Sequence, residues 1–480
     1  MTADAVQAAH RPSSALQLPQ TFSGEIAATL RLAWPLVLTQ LASMAIGTTD
    51  VLMLGRLGPD ALAAAALGLS LFYLPMMFGF GLSSAVSPLL SQAIGADPHG
   101  LDPARRRADT ANELRAQLRT ALWAVTLAAV PAIVLLLFAR PLFALLGQNA
   151  QASATASIYV LALIPALPFM LLIGVMRNLF SALSRPRPAL YVTIAWIGVN
   201  ALFNWIFIFG PFGFPALGVV GSGLATSCAT IVSAAALALC VVYHPATRGI
   251  RPFEGLFRFE TRRIARFVWL GLPIGMTLFF EGGVFNAALW LVGLFGTAEL
   301  AGHQIAINIA SLTFQVPLGI AFATTVRTGY AAGARDWAAV RRAGHAGMLL
   351  TFACMAVTAF VMWTWPYFIA GLYLDLGDQR AVVAAGFAAQ YLMVAAVFQL
   401  ADGQQVAAAF ALRGLKDMNV PMWIAGLSYW AVGFPVGAAL GFWTYLEGQG
   451  VWIGLAAGLA VAASLMTWRF EYLTRHRGRF

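Results

Sequence analysis

Charge is what this chain has least of. Asp, Glu, Lys and Arg make up 10% of its 480 residues, against 60% hydrophobic residues and a mean hydropathy of +0.77. Soluble domains carry roughly a quarter charged residues, so a soluble globular protein is excluded. Cysteine is nearly absent. Cys228, Cys240 and Cys354 all fall in apolar stretches and read as small buried hydrophobes, with no disulfide or metal spacing. No His, Cys or paired acids carry nucleophile or ligand spacing at a membrane face, so nothing points to an enzyme, and no cofactor is expected. The Gly-x-x-Gly patterns at Gly55 and Gly293 lack the Lys-Ser/Thr of a phosphate loop. They read as turns and close helix contacts.

What the chain has in quantity is apolar runs of about 20 residues, the length a bilayer crossing needs. Between polar breaks there are twelve, at 31–54, 63–94, 120–146, 155–181, 189–209, 217–243, 267–293, 302–331, 346–369, 385–412, 421–444 and 450–468. The spacing predicts an all-α membrane protein of twelve helices. The first run starts too deep, and lacks a small-residue cleavage site, for a signal peptide. Residues 1–24 are expected to form a disordered tail and 471–480 a basic one. Of the 29 basic residues, 25 fall at the termini or even-numbered loops, Arg327 and Arg413 among them. Arg56, Arg140 and Arg380 fall on the other side, and Arg177 lies inside the fourth run. By the positive-inside rule both termini are expected in the cytoplasm, in a bacterial inner membrane. The net charge of +10 is then topology, with attraction to anionic membrane lipids, and no nucleic-acid groove is left over.

Of 19 acidic residues, only Asp50, Glu281 and Asp402 lie inside these runs. A carboxylate there costs a few kcal/mol unless a cation or hydrogen-bond donor meets it, and its default reading is an ion or substrate site. Asn200 and Asn204 are four apart, so one helix face carries both. Gln399, Asp402 and Gln405 form a stripe on the tenth run, although an interhelical hydrogen bond is the plainer reading for each amide. Carboxylate and amide oxygens suit Na⁺, and protonation neutralises the same acids, so both ions stay open. His303 reads as a helix-end histidine, and Arg177 as a side chain that snorkels or pairs. Phe279, Phe280, Phe285, Trp290 and Trp430 could stack on flat cations, or face lipid.

The chain also repeats itself. Gly55, Gly58, Leu62, Ala63 and Gly95 recur 238 residues later as Gly293, Gly296, Leu300, Ala301 and Gly333, and Pro35 recurs as Pro273. Two six-helix bundles in parallel orientation follow, 25–243 and 267–470, joined by a cytoplasmic linker at 244–266. Such repeats suit alternating-access transport, and the matched prolines predict a bend in each first helix.

These residues carry a family resemblance over about 25–470. TTDVLMLGRLGPDALAA, LGLPIGMTLFFEGGVF, GHQIAINIASLTFQVPLGIAFATTVRTGYAAGA and DGQQVAAAFALRGLKDMNVPM together resemble the MATE (multidrug and toxic compound extrusion) transporters, in the bacterial NorM-type branch. The resemblance implies two pseudo-symmetric six-helix lobes around a V-shaped cleft. It implies secondary active export of organic, mostly cationic drugs in exchange for Na⁺ or H⁺. Asp50 resembles the family's first-helix aspartate, Asn200 and Asn204 its fifth-helix polar pair, and Glu281 with Asp402 the NorM-type acidic pair. Phe398 stands four residues before Asp402, where members often carry a tyrosine. A monomer is expected. The alternative is a flippase for a lipid-linked precursor from the same superfamily. An anionic lipid would want a basic cleft, whereas the charges inside these runs, Arg177 apart, are acidic.

Overall fold

A backbone in hydrocarbon must satisfy its own polar groups, and in this chain helices do so. The computed structural model describes residues 18–96, 103–374 and 379–477, and every regular element among them is helical. In chain order they are α1 (Phe22–Gly55), α2 (Pro59–Ser84), α3 (Val86–Gly95), α4 (Pro103–Leu137), α5 (Ala139–Leu145), α6 (Ala150–Leu163), α7 (Ala166–Ala182), α8 (Arg187–Phe209) and α9 (Gly218–Tyr243). There follow α10 (Pro245–Arg248), α11 (Thr261–Gly293), α12 (Thr297–Gly333), α13 (Trp337–Thr364), α14 (Pro366–Gly371), α15 (Gln379–Gly414), α16 (Asn419–Leu427), α17 (Phe434–Trp443) and α18 (Glu447–Arg477). A π-helical turn, Ser428–Gly433, joins α16 to α17.

Among the described residues, eleven helices or continuous helix pairs are long and apolar enough to span a bilayer. A twelfth span is the pair α6–α7, bent by 47° at a break that holds Pro165, whose ring removes a backbone donor. These are the twelve runs of the sequence, several of them extended at their ends. The expected tails are shorter than predicted. Residues 1–17 lie outside the described residues, but α1 already begins at Phe22. At the other end α18 continues to Arg477, and only 478–480 lie outside.

The described residues fall into two compact units, 38–275, and 18–37 with 276–477. The changeover is therefore not in the 244–266 linker. It lies inside α1 and α11, two residues after Pro35 and two after Pro273, and both helices run unbroken through their prolines. Residues 37 and 275 are themselves 238 apart, so the division obeys the repeat.

Matched glycines allow the matched contacts. A Cβ on Gly81 would lie 2.2 Å from the Gly275 nitrogen, so in the first unit α11 begins in backbone contact with α2. A Cβ on Gly319 would lie 2.6 Å from the Val37 nitrogen, and in the second unit α1 begins against α12. Gly81 and Gly319 are again 238 apart.

The linker 244–266 is held along α4. Arg115 Nε donates to Ile250 O at 2.8 Å, Trp123 Nε1 donates to Leu256 O at 2.7 Å, and Arg119 pairs with Glu260. In the second unit, Arg327 makes a two-pronged pair with Glu25, Nε to Oε1 at 2.7 Å and Nη2 to Oε2 at 2.6 Å. Both side chains are buried, 1% and 0% exposed. Sequence reasoning had set Arg327 among the solvated charges of a loop. A planar guanidinium can leave water because it matches a carboxylate at two points, and Glu25 in the first turn of α1 also complements the helix dipole.

Candidate functional site

In the first unit, α1, α8 and α9 bring Asp50, Asn200 and Asn204 together. Asn204 Nδ2 donates to Asp50 Oδ1 at 2.6 Å and to Asn200 Oδ1 at 3.1 Å. Four-residue spacing puts both amides on one face of α8, as their separation implied, and both are fully buried. Thr226 Oγ1, on α9, donates to Asp50 Oδ2 at 3.3 Å. Thr226 was missed, because a threonine in an apolar helix usually bonds its own backbone and nothing in the sequence marks this one as different. One buried polar atom of this cluster, Asn204 Oδ1, lacks a hydrogen-bond partner. A buried carboxylate ringed by neutral donors and a spare oxygen can hold a proton or a hard cation.

In the second unit, Glu281 on α11 and Asp402 on α15 sit in a cluster with Arg413 and Tyr429, each within reach of the charge on Glu281. Among the described residues these are longer-range charge interactions and no direct ion pair joins them. Asp402 is buried, and its Oδ1 has no hydrogen-bond partner; nor do Tyr429 Oη and Ser428 Oγ. Glu281, Phe285, Tyr429 and Gly433 line a void of ≈ 10 Å³, about the size of one water. The π-helical turn carries Tyr429 into this wall, and such turns often mark functional positions.

Arg413 corrects the sequence reading. It stands at the C-terminal end of α15, yet only 7% of it is exposed, and its guanidinium lies 4.0 Å from the Phe410 ring centroid. Sequence position put it with the loop charges, but the ring and the neighbouring carboxylates draw it inward.

The remaining predicted residues part company with Asp402. Gln399 Oε1 accepts from Thr358 at 2.8 Å and from Thr313 at 3.2 Å, joining α13 and α12 to α15. Gln405 turns toward α18, with Nε2 3.9 Å from Met466 Sδ. The stripe on α15 is thus divided among three neighbours, and Gln399 is interhelical glue. Phe398 packs edge-on against Phe285 and Trp452, with ring centroids 6.0 and 5.5 Å apart. His303 is buried beside Trp452 at 5.6 Å. Trp290 is 73% exposed on the apolar surface, while Trp430 Nε1 donates to Phe280 O at 3.2 Å. Arg177 donates to Gln40 and Ser43 on α1. Among the described residues no group of three or more His, Cys, Asp or Glu side chains could hold a metal ion.

Comparison with known proteins agrees with this architecture. The MatE family model matches twice, over residues 35–206 and 273–439, with starts 238 apart as in the internal repeat. A probable multidrug resistance protein NorM from Mesorhizobium japonicum is 42% identical over 447 residues, covering 93% of each chain. One from Rhodopseudomonas palustris is 42% identical over 452 residues, 94% of this chain and 92% of that one. Among solved structures, a MOP superfamily transporter from Pyrococcus furiosus superposes with a TM-score of 0.83 at 21% identity, covering 98% of this chain and 99% of that one. The eukaryotic MATE transporter AtDTX14 does so at 0.80 and 19%, over 95% and 99%. At those identities the structures speak for the fold. With the family model over most of its length and NorM relatives matched almost end to end, the chain belongs to the MatE family, in its NorM-type branch.

Proposed function

We propose that this multi-pass membrane protein exports organic, mostly cationic compounds in exchange for Na⁺ or H⁺, with Asp50 and the Glu281–Asp402 pair as the exchanging groups. The observation that carries the reading is Asp402: buried, within the field of Glu281, and with one carboxylate oxygen left without a hydrogen bond. An ionised carboxylate so placed is costly, and each possible occupant relieves the cost: a proton, Na⁺ or a cationic substrate. Two occupants drawing on one charge weaken each other, so loading the ion expels the drug and the reverse. No covalent chemistry is needed. A membrane potential supplies about 2.3 kcal/mol per charge per 100 mV, enough to concentrate a monovalent drug roughly fifty-fold. The multidrug resistance names of the relatives support the substrate class, and the basic split supports cytoplasmic termini in the inner membrane.

The test is uptake of a cationic dye into proteoliposomes, driven separately by a Na⁺ gradient and a pH gradient. One gradient should suffice, and it names the coupling ion. Glu281→Gln and Asp402→Asn, which can neither release a proton nor hold a cation, should lower that uptake by about tenfold or more. Near-normal uptake by both variants would remove the exchange mechanism.

A further inference from the structure

Arg177 is a cation in an apolar helix. It sits on α7, partly buried, and its Nη2 donates to Gln40 Oε1 at 2.8 Å and its Nη1 to Ser43 Oγ at 3.4 Å. Both acceptors are neutral, and Ser43 already spends its own hydrogen on Thr39 O at 2.8 Å. Among the described residues no Asp or Glu forms an ion pair with Arg177. A guanidinium has five N–H groups, so two hydrogen bonds leave donors unused and the positive charge uncompensated. In a membrane protein such a group marks a ligand path unless a partner neutralises it.

A second feature gives the ligand room. Gln40, Ser43, Gly47 and Asp50 recur at helical spacing and make one stripe on α1. Between the guanidinium end and the carboxylate end stands Gly47, where an added Cβ would meet nothing within 4 Å. From Gln40 to Asp50 the helix rises about 15 Å, with a fixed positive charge facing one end and a fixed negative charge at the other.

The geometry points to Arg177 as an anion-recognising subsite of the first unit, taking the carboxylate of a zwitterionic organic solute whose cationic end lies toward Asp50. This rests on the export reading above and narrows its substrate class. A carboxylate is the matching partner because it accepts two parallel N–H bonds from the donors that Gln40 and Ser43 leave over. The subsite would let one transporter carry amphoteric compounds beside simple cations.

The test uses a zwitterionic rhodamine and its methyl ester, which differ in that one carboxylate. Both are measured for equilibrium binding and for gradient-driven transport with full-length protein in phosphatidylcholine vesicles, whose lipid has no net charge and no free carboxylate. Arg177→Gln should weaken binding of the acid by about tenfold or more and leave the ester within about twofold. Arg177→Lys, which keeps the charge but not the fork, should fall between. Gln40→Glu supplies an internal counterion with Arg177 intact, and should also lower acid binding selectively. An unchanged acid-to-ester ratio in both Arg177→Gln and Gln40→Glu would overturn the subsite and leave Arg177 as interhelical glue. If the wild-type protein transports neither dye, the export reading itself fails, which is a different result.

Discussion

The two units hold their buried charges by opposite means. In the first, charge meets neutral dipoles: Asp50 takes hydrogen bonds from Asn204 and Thr226, and Arg177 gives them to Gln40 and Ser43. In the second, charge meets charge: Glu25 grips Arg327, and Glu281 feels the charges of both Arg413 and Asp402. Neutral dipoles steady a charge without cancelling it, so the first unit still presents one net positive and one net negative point to a visitor. An ion pair cancels. Glu25–Arg327 is such a pair, whereas in the acidic cluster Arg413 lies in the field of Glu281 without a direct ion pair, so on the exchange reading proposed above the cluster keeps charge for a cation or proton to balance. Sites of unlike capacity in two halves of one repeated sequence show that the repeat preserves helices while the charges diverge.

The comparison breaks most violently at Arg327. Arg327→Met strands the Glu25 carboxylate in a dry interior, and losing one side of a buried pair costs about 3–5 kcal/mol. The thermal midpoint of the purified protein should fall by many degrees. Replacing both partners, Glu25→Gln with Arg327→Met, should recover most of that loss, since the cost lies in the uncompensated charge. If the double variant melts as low as the single one, the pair is not a closed neutral unit.

That pair also shows where sequence reasoning stops. Hydrophobic length exposed the spans, and a constant offset exposed the repeat, but the changeovers at residues 37 and 275 lie inside helices and not in the 244–266 linker where the sequence put the boundary. The three membrane acids stood out because nothing else acidic lies in apolar sequence. Their partners did not. Arg327 and Arg413 sit close enough to helix ends to pass for loop charges, and only tertiary packing decides whether such an arginine turns inward. Thr226 was invisible for a similar reason, since its partner lies 176 residues away in sequence. Spacing paired Asn200 with Asn204, while Gln399, as the plainer reading had it, bonds to neighbouring helices and does not serve Asp402. Residues three apart share a side of a helix, yet α15 is packed on several sides and divides them among α12, α13 and α18.

A milder test concerns the neutral donors themselves. Asn204→Leu removes the shorter hydrogen bond to Asp50 and Thr226→Val the longer one. A hydrogen bond to a charged group is worth about 1.5–3 kcal/mol, and a long one less. Initial rates of gradient-driven efflux at matched protein density should drop about tenfold and about threefold, in that order. If both variants keep wild-type rates, dipoles do not set the state of Asp50, and the contrast between the units is one of architecture alone.

The smallest effect belongs to His244, which lies just past the end of α9 and outside the membrane spans. Its Nδ1 accepts from Ala246 N at 3.2 Å, and the Phe180 ring stands edge-on at 5.5 Å. Burial first, and then the neighbouring Arg185, hold the imidazole below its usual range of protonation. This is again a group steadied by a neutral dipole, but here the dipole is an N–H that requires the ring nitrogen to stay unprotonated. In the unfolded chain the ring takes up its proton near pH 6.5, before the folded one does. The unfolded state therefore binds more protons as pH falls through that value, and stability declines. Above it the contribution is constant. A half-exposed ring is well screened, so the change in thermal midpoint between pH 7.5 and 5 should be on the order of 1 °C. His244→Asn keeps an acceptor for Ala246 N but cannot titrate, and should lack that component while matching the parent at pH 7.5. An identical pH profile for the two proteins would mean that His244 is solvated enough to titrate as it does in the unfolded chain.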